Sequence, residues 1–447
     1  MLARSILTCG ALLALCVPAS AYTQHTLHSF CSEANCADGK FPNGGLVQDA
    51  AGNLFGTASA GGASGTAGVA FELVANEAHT AWTYKVIHDF CSADACSDGA
   101  GPVSGVIIDT AGNLYGTALG GGANNGGVVY KLSPGATQSD PWTIATLHDF
   151  CAPGDNGCAD GYQPAASLSY AGAATGAPYD GAATLYGTTS NGGAHGGGNV
   201  YALTLKHGVW SEKPLYQFCA VAHCADGIDA QGGVTVGGDG KLYGTTFEGG
   251  AERSHGIAFQ LTRQRGGGLW RERILQQFVP KDGINPAAAP ALDAAGDLLG
   301  TTYYGGMGAQ CPDKHGLPGS KKCGAVYKLT RAGNRYSETV LHRFCSDADC
   351  ADGRNPNSGV LLDADGNLFG AATAGGGGHN RVGDIGGGVV YEFSDTYHVL
   401  YDFCSESNCA DGSAPAAPIM DASGNLFGTT NGSSQASIAG TVYELTP

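Results

Sequence analysis

Asn53-Leu54-Phe55-Gly56-Thr57 returns as Asn113-Leu114-Tyr115-Gly116-Thr117, and again as Asn425-Leu426-Phe427-Gly428-Thr429 near the end of the chain. The closing glycine recurs at Gly56, Gly116, Gly187, Gly244, Gly300, Gly370 and Gly428, in steps of 60, 71, 57, 56, 70 and 58 residues. A period of this size marks one supersecondary unit copied along the chain, each copy burying its apolar face against its neighbours. A length of 447 residues would by itself suggest about three domains. Seven units without linkers predict instead a single repeat domain over residues 22–447.

Each unit reads as four short strands. In the first full copy, residues 45–49 form strand one and residues 53–58 strand two. Asp49-Ala50-Ala51-Gly52-Asn53 between them is a tight hairpin turn, in which the aspartate bonds its own backbone and the glycine supplies positive φ. Residues 68–73 alternate as a half-buried third strand, and residues 82–90 make the fourth. Four antiparallel strands per repeat, with aromatic and glycine landmarks, is the pattern of a propeller blade.

The phase of the repeat predicts how the array closes. Residues 22–30 read as a fourth strand that lacks the first three, and residues 417–447 as three strands that lack a fourth. Joining them completes one blade and buries the edges an open array would expose. The expected fold is therefore all-β: a seven-bladed β-propeller of four-stranded antiparallel blades, closed by the N-terminal strand. An elongated β-array is the weaker alternative.

The unit resembles the GloVer tandem-repeat family of secreted bacterial proteins, whose core phrase is close to N-L-Y-G-T-T, a Gly-Gly loop, then G-x-V-(F/Y)-x-L. Leu185-Tyr186-Gly187-Thr188-Thr189 with Gly192-Gly193 and Asn199-Val200-Tyr201-Ala202-Leu203 carries the likeness, as do residues 425–430 with residues 440–445. The resemblance spans the whole chain after residue 21 and implies the repeat fold, with no activity to carry over. Family members often end in an anchoring tail, whereas this chain stops at Pro447, just after its last strand.

The N-terminus carries Arg4, an apolar run over residues 6–17 and Ala19-Ser20-Ala21, which reads as a secretory signal peptide over residues 1–21. No other stretch approaches the roughly 18 apolar residues of a membrane span. The fourteen cysteines beyond residue 21 fall into local pairs. Cys31 with Cys36, Cys91 with Cys96, Cys151 with Cys158, Cys219 with Cys224, Cys345 with Cys350 and Cys404 with Cys409 share one place in the repeat, and Cys311 with Cys323 lies in a different loop. An even count, paired within loops behind a signal peptide, predicts seven disulfides and a secreted or periplasmic location. Zinc would need a second Cys or His pair at suitable spacing. The net charge of -17 repels phosphate backbones and argues against nucleic acid. A monomer without cofactor is expected.

Loops between strands two and three, and from strand four to the next blade, share a face and are the longest and most variable segments. Binding sites concentrate where a rigid scaffold displays such loops. Candidate ligand contacts there are the loop histidines His195, His255, His315 and His379, and the aromatics Phe247, Tyr303 and Tyr304. Against these stand plainer readings: histidine as polar loop filler, and Tyr303 as an extension of strand two. The Asp-Gly after each cysteine loop (Asp38, Asp98, Asp160, Asp226, Asp282, Asp352 and Asp411) could attract calcium, but reads better as a turn. Asp363-Ala364-Asp365-Gly366-Asn367 reads as a hairpin for lack of the later acidic ligand. His28, His88, His148 and His342 recur in the outermost strand and read as structural. No nucleophile elbow, H-E-x-x-H or phosphate loop is present. The sequence thus favours a secreted, non-enzymatic binding or surface-interaction propeller with a glycan or protein ligand. The alternative is a hydrolase or lactonase-like enzyme with its site on the central channel.

Overall fold

The computed structural model describes residues 22–137, 139–151, 157–252, 254–266, 268–309, 311, 323–377, 386–432 and 439–447. They form seven four-stranded antiparallel sheets, the blades of a propeller. The first blade contains Val47–Gln48, Leu54–Ala58, Val69–Ala75 and Trp82–Asp89, and the other six repeat this order. First strands are only two or three residues long, shorter than the sequence suggests. They sit where neighbouring backbones crowd together: a β-carbon on Gly44 would lie 2.6 Å from the backbone of Ser104 in the next blade. In the last blade, Thr23–Ser29 pairs antiparallel with Thr441–Thr446, from Thr23 opposite Thr446 to Ser29 opposite Thr441. The ring is closed as the phase of the repeat predicts.

Each position of the repeated phrase meets a different neighbour. The leucines (Leu54, Leu114, Leu185, Leu242, Leu298, Leu368 and Leu426) are fully buried in the apolar layers. The aromatic that follows turns toward the next blade, where a tryptophan covers it: Phe427 against Trp82 at 6.0 Å, Phe55 against Trp142 at 5.9 Å, and Tyr115 against Trp210 and Tyr186 against Trp270, both at 6.4 Å. The glycine lies directly opposite an aromatic of the third strand, as Gly56 opposite Phe71 and Gly300 opposite Tyr327. In all seven blades a β-carbon there would stand within 2.6 Å of that side chain. Only glycine leaves room for the ring to lie across the strand.

The threonine crosses to the next blade. Thr57, Thr117, Thr245, Thr301 and Thr429 donate their hydroxyls to backbone carbonyls of Ser104, Ala166, Ala288, Ser358 and Gly44, at 2.8–3.2 Å. Thr188 instead accepts from the Gly233 N–H at 3.2 Å. The sixth blade has Ala371 at this place, and there the hydroxyl of Ser358 accepts from the Ala417 N–H of the seventh. Core and polar ties alike therefore run between blades. One apolar cluster joins Phe55 and Ala70 of the first blade to Leu114 and Tyr130 of the second.

All seven expected cysteine pairs are bonded. Cys31 is joined to Cys36, Cys91 to Cys96, Cys151 to Cys158 and Cys219 to Cys224. Cys345 is joined to Cys350 and Cys404 to Cys409, while Cys311 reaches Cys323 across the longer loop of the fifth unit. In the repeated loops both cysteines sit in left-handed backbone, as Cys31 at φ 60° and Cys36 at 54°, and Cys91 at 59° and Cys96 at 55°. Cys158, Cys224, Cys350 and Cys409 take the same conformation, between 46° and 55°. The loop thus curls tightly enough to bring two cysteines five or seven residues apart within bonding reach.

The Asp-Gly aspartates hold these loops from within. Asp38 Oδ2 accepts from the Ser32 N–H and hydroxyl, at 3.0 and 2.8 Å, and lies 3.2 Å from His28 Nε2. Asp98 with Ser92 and His88 repeats this, Asp352 keeps the Ser346 N–H and His342 while the Ser346 hydroxyl turns to the Arg343 carbonyl, and Tyr216 and Tyr401 take the histidine's place over Asp226 and Asp411. The following glycines take positive φ, such as Gly39 at 89°, so the turn reading holds and backbone amides occupy the carboxylate. Where the fifth unit lacks its cysteines, Arg343 bridges the loop, reaching the Lys281 carbonyl at 2.5 Å and Asp282 Oδ1 at 3.1 Å.

Candidate functional site: an amide-lined mouth on the propeller axis

The residue three places after each loop aspartate sets the shape of one face. Phe41, Gly101, Gln163, Asp229, Asn285, Asn355 and Ala414 all adopt left-handed backbone, with φ between 56° and 67°. Each N–H donates to a carbonyl of the preceding blade, as Asp229 to Gly197 (3.0 Å) and Asn355 to Cys323 (2.7 Å). Each carbonyl accepts from the residue just after its own second strand, as Asp229 from Phe247 (2.8 Å) and Asn285 from Tyr303 (3.0 Å). A side chain in left-handed backbone costs on the order of 1 kcal/mol, and it is held here by bonds on both sides. The result is a clasp repeated in every blade, from which Gln163, Asp229, Asn355 and Ala414 reach the wall of a cavity.

These loops enclose a cavity of ≈ 950 Å³. On the third and fourth blades it is lined by Gln163, Ser190, Asn191, Asp229 and Gln231. Tyr303, Tyr304, Arg354, Asn355 and Asn357 line the opposite wall, and Asn43 and Asn431 close the circle. Several amides are fixed in orientation: Asn191 Nδ2 donates to Gln163 Oε1 at 2.9 Å, Asn43 Nδ2 to the Ser59 hydroxyl at 3.2 Å, and Asn355 Nδ2 to the Tyr303 carbonyl at 3.0 Å. The Tyr303 and Tyr304 rings meet edge to face at 4.4 Å. Burial, reinforced by Glu248, pushes the Asp229 carboxyl up to about 6. Burial also raises the Tyr303 phenol, Tyr304 adding to the effect and Arg354 opposing it. At neutral pH the wall therefore presents one carboxylate and one guanidinium among seven amides, all within the described residues.

Of the residues expected at a site, Tyr303 and Tyr304 line this cavity. Tyr303 follows the second strand, which ends at Thr302, and is half-buried rather than sunk in the core. Phe247 is half-buried behind the rim, its carbonyl accepting from Asn285 Nδ2 at 2.8 Å. His255 is likewise half-buried, its carbonyl accepting from the Asn285 N–H. His195 is exposed in its loop, outside the cavity lining. His315 and His379 lie outside the described residues, as does the segment 1–21 read as a signal peptide. Among the described residues no group of three His, Cys, Asp or Glu could hold a metal, and no helix is long and apolar enough to cross a membrane. The hairpin face has a second cavity, ≈ 830 Å³, where Asp239, Asp293 and Asp363 are engaged in their own turns or with lysine, as Asp293 with Lys328 at 3.1 Å, and Asp365 is exposed. The Asp363 segment there is the expected hairpin, Asp363 accepting from the Asp365 and Asn367 N–H groups.

The amides of the mouth went unread in the sequence. A signal existed: at the fifth place after Asp-Gly's aspartate the repeat runs Asn, Val, Ala, Gln, Ala, Asn, Ala, and all seven of these residues line the cavity. A position that varies inside an otherwise fixed loop faces something other than the scaffold.

Fold and geometry define a closed seven-bladed β-propeller with a polar cavity on its axis. The chain belongs to the Gloeobacter/Verrucomicrobia repeat family, whose model matches residues 10–182, 83–311 and 315–447. No curated protein matches the sequence. Among solved structures it is similar to a candidate 6-phosphogluconolactonase from Bacteroides uniformis, at 11% identity and TM-score 0.45, covering 81% of this chain and 84% of that one. It is also similar to PorZ, a surface component of the type-IX secretion system of Porphyromonas gingivalis (12% identity, TM-score 0.41, 86% of this chain and 44% of that one). A candidate glucose dehydrogenase from Thermus thermophilus aligns at 14% identity and TM-score 0.37, over 95% of this chain and 100% of that one. At such scores the likenesses carry nothing about the chemistry of this chain.

Proposed function

We propose that this protein is a secreted or periplasmic, monomeric binding propeller, without enzymatic activity, that holds a glycan or protein ligand in the mouth on its axis. One observation carries the reading: seven side-chain amides and a tyrosine pair line a cavity in which Asp229 is the one carboxylate among the described residues. Hydrolysis of a glycoside takes two carboxylic groups facing one another, and an activated nucleophile takes a base beside it. Neutral donors and acceptors on a rigid rim suit recognition instead. Seven disulfides and the signal-like segment at residues 1–21 fit an oxidising compartment outside the cytoplasm. His195, His255 and Phe247 would then act from the periphery of the mouth and Tyr303 and Tyr304 as direct contacts, with the loop histidines His315 and His379 as further ligand contacts.

The protein spanning residues 22–447 is to be screened on glycan and extracellular-protein arrays beside Tyr304→Ala and Ala364→Trp, the second filling the hairpin-face cavity. Capture should weaken about tenfold or more with Tyr304→Ala, the loss expected of an anchor, and survive Ala364→Trp. The reverse pattern would move the site to the other face, and turnover of a lactone or glycoside by the unaltered protein would end the non-enzymatic reading.

A further inference from the structure

Resting on the mouth as the ligand site, we infer that the ligand is a neutral glycan: an uncharged polyhydroxylated chain whose hydroxyls bond the amides while a sugar face lies against Tyr303 and Tyr304. A primary amide offers a donor and an acceptor side by side, and a sugar hydroxyl both donates and accepts. Amides therefore match adjacent hydroxyls without placing a charge in the site.

An anionic ligand calls for guanidinium forks or ammonium groups. Arg354 is the one cation among the described lining residues, and the chain's net charge of -17 opposes the approach of a polyanion. A protein partner calls for an apolar, aromatic-rich centre of roughly 800 Å² on each side. Here the tyrosine pair supplies the only aromatics among the described lining residues, and Pro42, Val103, Leu119, Pro415 and small alanines are interspersed with seven amides rather than gathered into an apolar centre.

Preorganisation points the same way. Asn191 and Gln163 are bonded to each other and Asn355 to the Tyr303 carbonyl, so their amide planes are set before any ligand arrives. The edge-to-face tyrosines, half-buried and 4.4 Å apart, line the same wall as Asn355, across the cavity from Gln163 and Asn191. That geometry suits the C–H face of a pyranose with its hydroxyls directed sideways.

Titration calorimetry with cellohexaose, xylohexaose, mannohexaose and galactohexaose, against hexagalacturonate as the charged counterpart, tests the assignment. At least one neutral hexaose should bind, with an affinity that changes less than about twofold between roughly 50 and 500 mM salt, since no ion pair is screened. Asn191→Ala and Asn357→Ala, both at exposed positions where the fold should be indifferent, should each weaken it about fivefold or more, with unaltered thermal unfolding as the control. Failure of all four neutral chains to bind, or binding indifferent to both variants, overturns the inference. Hexagalacturonate binding more tightly and lost in the same variants overturns the neutral class while leaving the mouth as the site. Binding abolished by Ala364→Trp alone removes both.

Discussion

A β-carbon at Gly300 would stand within 2.6 Å of the Tyr327 hydroxyl, although the backbone there lies outside the left-handed region. The cost of a side chain at this glycine is therefore steric. Tyr327 is fully buried, with no open space into which the ring can swing. Gly300→Ala should destabilise the protein by roughly 1–3 kcal/mol, the range for overpacking a well-filled core. Thr301→Val next to it should cost about 1–3 kcal/mol by leaving the Ser358 carbonyl without its donor. Denaturant unfolding of both variants checks this. Equal stability of Gly300→Ala and the unaltered protein would mean that the aromatic opposite the glycine yields to a β-carbon and does not require its absence.

At the scale of strands, three successive seams share a device the repeat phrase does not announce. Glu212, Glu272 and Glu338 stand at one place in the fourth strands of the third, fourth and fifth blades, each facing the loop aspartate of the blade before. The Tyr216 hydroxyl lies between Glu272 Oε2 at 3.3 Å and Asp226 Oδ2 at 3.0 Å. Burial first, and the facing Asp160 or Asp226 second, push Glu212 and Glu272 up to about 8. Burial and Asp282 push Glu338 to about 7, against the opposing pull of Gln276, Arg343 and Lys281. Folded-state values above the unfolded one mean that the stabilisation is complete below the unfolded carboxyl range and is lost as pH rises through 7–8. Burial lowers His28 and His88, which works oppositely. That loss falls below pH 6.5, where the unfolded imidazole takes up its proton, so the window above 6.5 isolates the glutamates. The melting temperature should fall by roughly 3–5 °C between pH 6.5 and 8.5, at about 2 °C per kcal/mol for a chain of this size. Glu272→Gln should flatten part of that slope. A melting temperature that rises over the window would contradict the assignment.

For the molecule as a whole, the ring depends on a strand that lies more than four hundred residues from its partner in sequence, Thr23–Ser29 against Thr441–Thr446. Removing residues 22–30 strips Phe30 from the cluster it shares with Leu54 and Phe71, and opens the edge of Thr441–Thr446 to solvent. The loss should be several kcal/mol, shared between strand pairing and apolar burial, and the shortened protein should self-associate through the bared edge. Thermal unfolding together with sedimentation reads both effects. A shortened monomer melting within a degree or two of the full chain would show that the blades do not depend on closure.

The repeat phrase, the turn residues and the paired cysteines determine the blade, its count and its disulfides on their own, because these are local properties. A hairpin needs its Asp and Gly within five residues, and a loop disulfide such as Cys31 with Cys36 or Cys404 with Cys409 closes over a handful more. The phase of the repeat even determines closure, since a fourth strand at one end and three at the other have one economical pairing. The mouth belongs to a different order of information. Gln163 and Asn191 come from the third unit, Asp229 from the fourth, and Arg354 and Asn355 from the sixth, and in sequence each looks like loop filler. Only the radial arrangement of seven blades turns equivalent loop positions toward one axis, where the residue that varies from copy to copy becomes the wall of a shared cavity. The same holds for the seam glutamates, whose facing aspartates belong to the preceding unit. Local periodicity writes the scaffold into the chain, while a site assembled across units exists only once the ring has closed.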